Sequence, residues 1–336
     1  MLSFDLSHQA AVLSAINHFI ELSLNFDLSD RELVTYLEQL IPAFKAFDQN
    51  GVQYSASIQA FQNVVELIDD ARDASILMDY LDQLSLVQIK EISHTILKYR
   101  SAILGEIRQF RDQERDNQKA FLEQVKTIIY DHYQVLLVRV DLGYLKISMP
   151  AISINDFYAH IVSLIRFMKD KNGCFKHLLG YGLALEQGVT KGYHGHLLLM
   201  YNGSKRDQDG DLANRVTKKW ESITNNAGYG RHSNTSEIKE RYLAKGILGV
   251  GMIKREHPLQ VMNVLKVAKY LVEPEKHGQM LLVKPVNRRS FFKGIYKPHG
   301  REYQTKFVLP SVDPVQVIMG RQNDIAWFED LLIQEM

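Results

Sequence analysis

The residues with the most chemistry in them lie within one short stretch, from Glu186 to His196. The motif His194-Gly195-His196 sets two imidazoles at i and i+2. In a strand those positions share a face, with Cα atoms about 6.6 Å apart. Apolar runs at 178–186 and 194–201 flank Gly188 and Gly192. This pattern predicts a β-hairpin turning near Thr190, with the glycines supplying the φ freedom of a short loop. That register puts Glu186 opposite His194, with Cβ atoms about 5 Å apart. Two imidazoles and a carboxylate then converge on one small volume. Two histidines alone would describe any half-exposed strand; the in-register Glu186 favours a metal. His-Glu-x-x-His is absent and the single cysteine, Cys174, excludes a thiolate zinc site. The remaining donor set suits Mg²⁺, Mn²⁺ or non-haem Fe²⁺. Gly180, Gly182 and Ala184 share the face of Glu186, an open floor predicted to receive something bulky, while Leu179, Tyr181, Leu183 and Leu185 face the other way.

Several elements must position this hairpin. Residues 133–142 read as a buried strand in which Arg139 and Asp141 appear on one face near the end, either at the site and its substrate or as a mutual pair. A capping box of Ser153 and Asp156 opens a helix closed by Gly173, so the order is strand, helix, strand, strand. Arg206 to Asp211 lacks the later ligands of a calcium loop and reads as a turn and N-cap before the helix carrying Trp220. Residues 225–236, rich in Gly and Asn, read as a loop, and 246–253 as a short strand. From Pro258 to Glu273, Val261, Val264, Leu265, Ala268, Leu271 and Val272 form one helical stripe. Tyr270 falls opposite that stripe, flanked by Lys266 at i−4 and Glu273 at i+3.

The first 130 residues are predicted to be helical nearly throughout, with a capping box of Ser29 and Glu32 and a break at Pro42. They read as an accessory domain for packing or for holding a partner. The net charge of +1 hides an asymmetry: residues 1–130 carry 11 Lys+Arg against 19 Asp+Glu, and residues 131–336 carry 29 against 20. The second part has the electrostatics for a polyanion. Its basic end holds Lys284, Arg288, Arg289, Lys293, Lys297, Arg301 and Lys306 against Glu302, interleaved with Phe291, Phe292, Tyr296 and Tyr303. This composition suits single-stranded nucleic acid, though a solvated basic face has the same signature. No uncharged apolar run reaches the roughly 18 residues of a membrane span, and one cysteine with no targeting segment is expected of a cytoplasmic protein.

Together, the Arg-x-Asp-Leu strand end, Glu186 ahead of Gly-Tyr-His-x-His-Leu-Leu-Leu, Trp220 and the late helical Lys269-Tyr270-Leu271 resemble the replication initiators of filamentous phages (inovirus type) and their prophage-borne relatives, within the HUH endonuclease superfamily. The resemblance covers roughly residues 130–305. It leaves the helical domain (1–130) unexplained and implies a nuclease domain (131–306) whose small antiparallel sheet is flanked by helices as in a ferredoxin-like palm, so that the whole chain is expected to be α+β, ending in a tail or helix (307–336). It also implies that Glu186, His194 and His196 hold Mg²⁺ or Mn²⁺ and that Tyr270 attacks single-stranded origin DNA. The products would be a 5′-phosphotyrosine and a free 3′-hydroxyl for rolling-circle replication, with host replication proteins as further partners. Arg139, Asp141, Arg288, Arg289 and Lys293 would contact the DNA. The sequence departs from the family pattern at Gly195, normally bulky, and at Glu273, where relatives carry the lysine of Tyr-x-x-Lys. Lys266, at the neighbouring helical position, is then the expected substitute cation, the alternative being that Glu273 itself approaches the metal. Tyr242 satisfies Tyr-x-x-Lys with Lys245 and is the second candidate nucleophile. A degenerate member that binds DNA without cutting it is the alternative. A cupin-like oxygenase is disfavoured because residues 197–204 contain no carboxylate.

Overall fold

The computed structural model describes residues 5–26, 28–71, 76–298 and 313–320. The N-terminal region comprises α1 (Gln9–Asn25), α2 (Asp30–Phe47), the short β1 (Val52–Tyr54), α3 (Ala56–Ala71), α4 (Leu77–Asp82), α5 (Leu86–Lys98) and the 32-residue α6 (Arg100–Asp131). The expected box of Ser29 and Glu32 caps α2, and Ser85 with Gln88 caps α5 in the same way. The break expected at Pro42 does not occur. Pro42 forfeits one helix hydrogen bond, but Leu37, Leu40, Ile41 and Phe44 are buried on either side of it and hold α2 to its neighbours.

The rest is a mixed α+β arrangement: β2 (Gln134–Tyr144), α7 (Ile154–Asp170), β3 (Leu178–Gly188), β4 (Gly192–Asn202), α8 (Asp209–Ile223), β5 (Gly228–His232), α9 (Ser236–Ala244), β6 (Gly251–Lys254), α10 (Pro258–Leu271), β7 (Val283–Pro285), β8 (Phe291–Lys293) and α11 (Pro314–Gly320). Six strands form an open antiparallel sheet in the order β5-β2-β4-β3-β8, with β6 on the other half of β2, and β7 pairs with β1. The predicted hairpin is β3 and β4, and Glu186 pairs with His194 as expected. Ser153 and Asp156 form the predicted box on α7.

Three local expectations change. The stretch 225–236 contains the edge strand β5; its glycines are there because a Cβ on Gly228 or Gly230 would fall 2.5 Å from Trp220 Nε1 or 2.7 Å from Thr217 Oγ1 of α8. The cap of α8 is Gln208, without a side-chain bond, and Asp209 instead accepts from Asn234 and Lys239. The floor at Gly180 and Gly182 is filled from within, since Cβ atoms there would lie 2.7 Å from Ile128 and 2.3 Å from Phe121, both on α6.

Burial divides between the two faces of the sheet. Leu136, Val138, Val140, Leu183, Leu197 and Leu199 join the apolar residues of α1, α2, α3, α7 and α8 in one continuous core. Leu137, Ala184, Leu198 and Met200 pack against α6 and α10, with Val315 and Ile318 of α11 at the margin. No helix among the described residues is long and apolar enough to cross a membrane. Arg301, Glu302, Tyr303 and Lys306, and most of the expected tail, lie outside the described residues.

Candidate metal centre

The β3–β4 hairpin brings Glu186, His194 and His196 into one buried cluster, their ligand atoms all within 4.8 Å of one another. Glu186 Oε2 lies 3.2 Å from His196 Nε2 and 3.5 Å from His194 Nε2. Each histidine is oriented through its other nitrogen. His194 Nδ1 is 3.1 Å from the Gly192 carbonyl and His196 Nδ1 is 2.6 Å from Asp141 Oδ1 on β2. With both Nδ1–H groups donated to oxygens, the Nε2 lone pairs turn toward the same carboxylate oxygen. The Gly192 carbonyl sits where it does because Gly192 takes φ +62° at the end of the turn. Cis donors around an octahedral ion bound at about 2.1 Å lie about 3 Å apart, so this donor set fits a divalent cation after small adjustments.

The electrostatics match. Burial opposes charge on His196, but Glu186 and Asp141 outweigh it and raise its pKa. Burial likewise opposes the Glu186 carboxylate, yet His196 and Lys276 hold its pKa well below the ordinary value. Asp141 is depressed in the same way by Arg139 and His196. The site thus keeps its carboxylates ionised, as a cation requires.

Tyr270 stands beside this cluster on the last turn of α10, tied to it from two sides. Lys276, in the turn after α10, places a buried ammonium 3.3 Å from Glu186 Oε1 and 3.9 Å from the centre of the Tyr270 ring. Arg139, only 4 % exposed, lies 3.7 Å from Asp141 Oδ1 and 5.7 Å from the same ring centre. Lys266 is one turn back on α10, and the Lys276 ammonium lies against the ring. Tyr242 is buried on α9 with Arg241 over its ring. Glu273 does not continue the polar face of α10, because the helix ends at Leu271 and Val272 turns the chain inward. Glu273 is buried, its Oε2 has no hydrogen-bond partner, and desolvation raises its pKa.

Sequence reasoning missed Lys276 and the part played by α6. Arg111, Glu114, Gln118 and Phe121 recur at helical spacing along α6 and meet the segment around Tyr270. Gln118 Nε2 donates to the carbonyls of Lys269 (3.2 Å) and Val272 (2.6 Å), on either side of Tyr270. Glu114 shares a cavity of about 20 Å³ with Glu186, Glu273 and Lys276. Arg111 approaches Glu275 and His277. The spacing was visible in the sequence; the partners, some 150 residues away, were not.

The basic C-terminal residues are placed by β8, which pairs with β3 at Ala184 and Gly182. Arg288, Arg289 and Lys293 are exposed, and Lys293 donates to the Ala120 carbonyl. Two of the interleaved aromatics serve the fold: Phe291 packs edge-on against Phe121, and the Tyr296 hydroxyl bonds Asp131.

No protein-family profile matches this chain, and neither a curated protein nor a solved structure is significantly similar to it.

Proposed function

We propose that the protein is a metal-dependent endonuclease and strand transferase for single-stranded DNA, with Tyr270 as nucleophile, and that it starts rolling-circle replication of a phage or other mobile element. What carries this reading is the double tether of Tyr270 to the metal cluster, through Lys276 to Glu186 and through Arg139 and Asp141 to His196. A structural tyrosine on a helix surface has no need of two cations, each paired with a carboxylate of a metal site. The sheet, with its paired histidines near the start of the interior strand β4, corresponds on this reading to the palm of the HUH endonucleases.

Glu186, His194 and His196 would hold Mg²⁺ or Mn²⁺, which supplies charge withdrawal from the non-bridging oxygens of the scissile phosphate. The chain does the rest. The Tyr270 oxygen bonds to phosphorus, the bond to the 3′ oxygen breaks, and the phenol proton is exchanged for one on the leaving 3′-hydroxyl. Lys276 and Arg139 offset the negative charge that passes through the phenol oxygen and the phosphate. Arg288, Arg289 and Lys293 are exposed at the β8 end and would meet the phosphates of the origin strand.

Incubation with end-labelled single-stranded DNA and Mn²⁺, followed by a denaturing gel, tests the assignment. A covalent adduct is expected for the wild type, none with EDTA, and none for Tyr270→Phe. An adduct that survives in Tyr270→Phe and disappears in Tyr242→Phe would move the nucleophile to α9. Glu273, a buried carboxylate with Oε2 unpartnered where the resembled initiators carry lysine, favours a second reading, a DNA-binding protein on the same scaffold that no longer cuts. Tight DNA binding with no adduct under Mn²⁺ would select it.

A further inference from the structure

We infer that Tyr229 and Arg231 on the edge strand β5 form a binding step for one unpaired nucleotide of the DNA strand that reaches the metal cluster. This rests on the nuclease reading above and adds a subsite to it.

The placement follows from register. Asp141 pairs with His196 on one side and with Arg231 on the other, and Gly143 pairs with Tyr229. Directly paired residues in an antiparallel sheet project on the same side. Tyr229 and Arg231 therefore extend the face that carries the metal ligands, out to the edge of the sheet. Arg231 stands two strands from His196, about 10 Å away.

The local build is specific. The phenol end of Tyr229 lies over Gly143, where a Cβ would come within 3.2 Å of Cε1, Cζ and the hydroxyl. A side chain at 143 would lift the ring, and glycine lets it lie on the strand. The strand beneath is fixed from behind, since Trp220 Nε1 donates to the Gly143 carbonyl at 2.9 Å and α8 fills the space at Gly228 and Gly230. The Arg231 guanidinium sits 5.8 Å from the ring centre, is exposed, and among the described residues has no carboxylate within ion-pair distance. A cation on an edge strand blocks strand pairing on its own. That role calls for neither an aromatic ring laid on a glycine nor alignment with the metal ligands. A flat ring for a base and a neighbouring guanidinium for its phosphate are the two contacts by which single strands are held.

The test uses the full chain in EDTA, with polarisation of a dye-labelled single-stranded oligonucleotide across a salt series, and Mn²⁺ calorimetry on the same proteins. Tyr229→Ala is expected to weaken DNA binding about tenfold and Tyr229→Trp to restore it, the range measured for one stacked base. Arg231→Gln is expected to weaken binding and to lower the salt slope by about 0.7, one phosphate contact on a single strand. Mn²⁺ affinity should be unchanged in all three. Wild-type DNA affinity and salt slope in both Tyr229→Ala and Arg231→Gln would overturn the subsite and leave the nuclease reading standing. A wild-type protein that binds Mn²⁺ but no single-stranded DNA would overturn both.

Discussion

At the scale of single residues, the candidate metal cluster is oriented by groups that would not touch an ion. Asp141 fixes His196 in the tautomer and orientation that turn Nε2 inward, and the chain has spent a strand position with a partly exposed carboxylate to do so. Asp141→Asn can still meet the ring but presents either a weaker acceptor or a donor. Outer-shell losses of this kind typically cost 10–100-fold in metal affinity. Mn²⁺ titration of Asp141→Asn is therefore expected to show a dissociation constant raised by that factor with the fold retained, and an unchanged constant would remove Asp141 from the site.

Glu114 gives a second residue-scale prediction, in pH. Burial, with the facing Glu186 carboxylate adding to it, raises Glu114 to about 7. Between the ordinary carboxylate range and pH 7, the folded protein holds a proton that the unfolded chain has released. Stability attributable to this group is thus highest in acid, falls as pH rises through that window, and stays low above it. Glu114→Gln keeps an acceptor for the Asn117 amide, 3.1 Å away, and removes the charge. In EDTA it should melt higher than wild type at pH 8, by on the order of 2 kcal/mol, with the difference gone near pH 4.5. A difference that does not vary with pH would contradict the shift.

At the scale of elements, α10, the helix that carries Tyr270, is held at its carbonyl end by another helix. The last carbonyls of any helix lack partners within it. In α10 two of these needs, at Lys269 and Val272, are met by Gln118 of α6. Gln118→Ala leaves the Val272 carbonyl without its partner, at about 1–3 kcal/mol, while the Lys269 carbonyl keeps the Val272 N–H. Urea denaturation should show a loss of that size, and hydrogen exchange should rise most at residues 269–273, beside Tyr270. Uniform exchange with no local rise would mean that Gln118 stabilises the core without fixing the helix end.

The same contact shows where sequence stops being informative. The hairpin, the register of Glu186 against His194, the capping boxes and the buried stripe of α10 follow from residues a few positions apart, and all were legible. What Gly182 makes room for was not, because its occupant, Phe121, comes from 61 positions earlier. β5 hid behind glycines that serve α8 rather than a loop. Lys276 lies beyond the end of α10, where helical periodicity no longer says where a side chain points.

At the scale of the whole molecule, the helical region cannot be peeled from the sheet without exposing both faces. On one face, α1 inserts Gln9, whose buried amide accepts from the Tyr193 hydroxyl at 2.8 Å and the Ile154 N–H at 2.9 Å and donates to the Phe47 carbonyl at 2.9 Å. Gln187 of β3 reaches back to Ser14 and also accepts from the Leu282 N–H. On the other face, Phe121, Leu122, Val125, Ile128 and Ile129 of α6 cover the strands that carry the histidines. Each buried aromatic or aliphatic side chain of that row is worth roughly 1.5–3 kcal/mol of transfer free energy, and together they are comparable to the typical net stability of a domain. A fragment of residues 131–336 is therefore expected to lack a cooperative thermal transition and to bind Mn²⁺ far more weakly than the full chain. A fragment beginning at Arg100 keeps α6 and should recover part of both. If residues 131–336 alone melt cooperatively and bind Mn²⁺ with full-length affinity, the helices are an appendage, and the hold of α6 on the end of α10 has no bearing on the candidate metal centre.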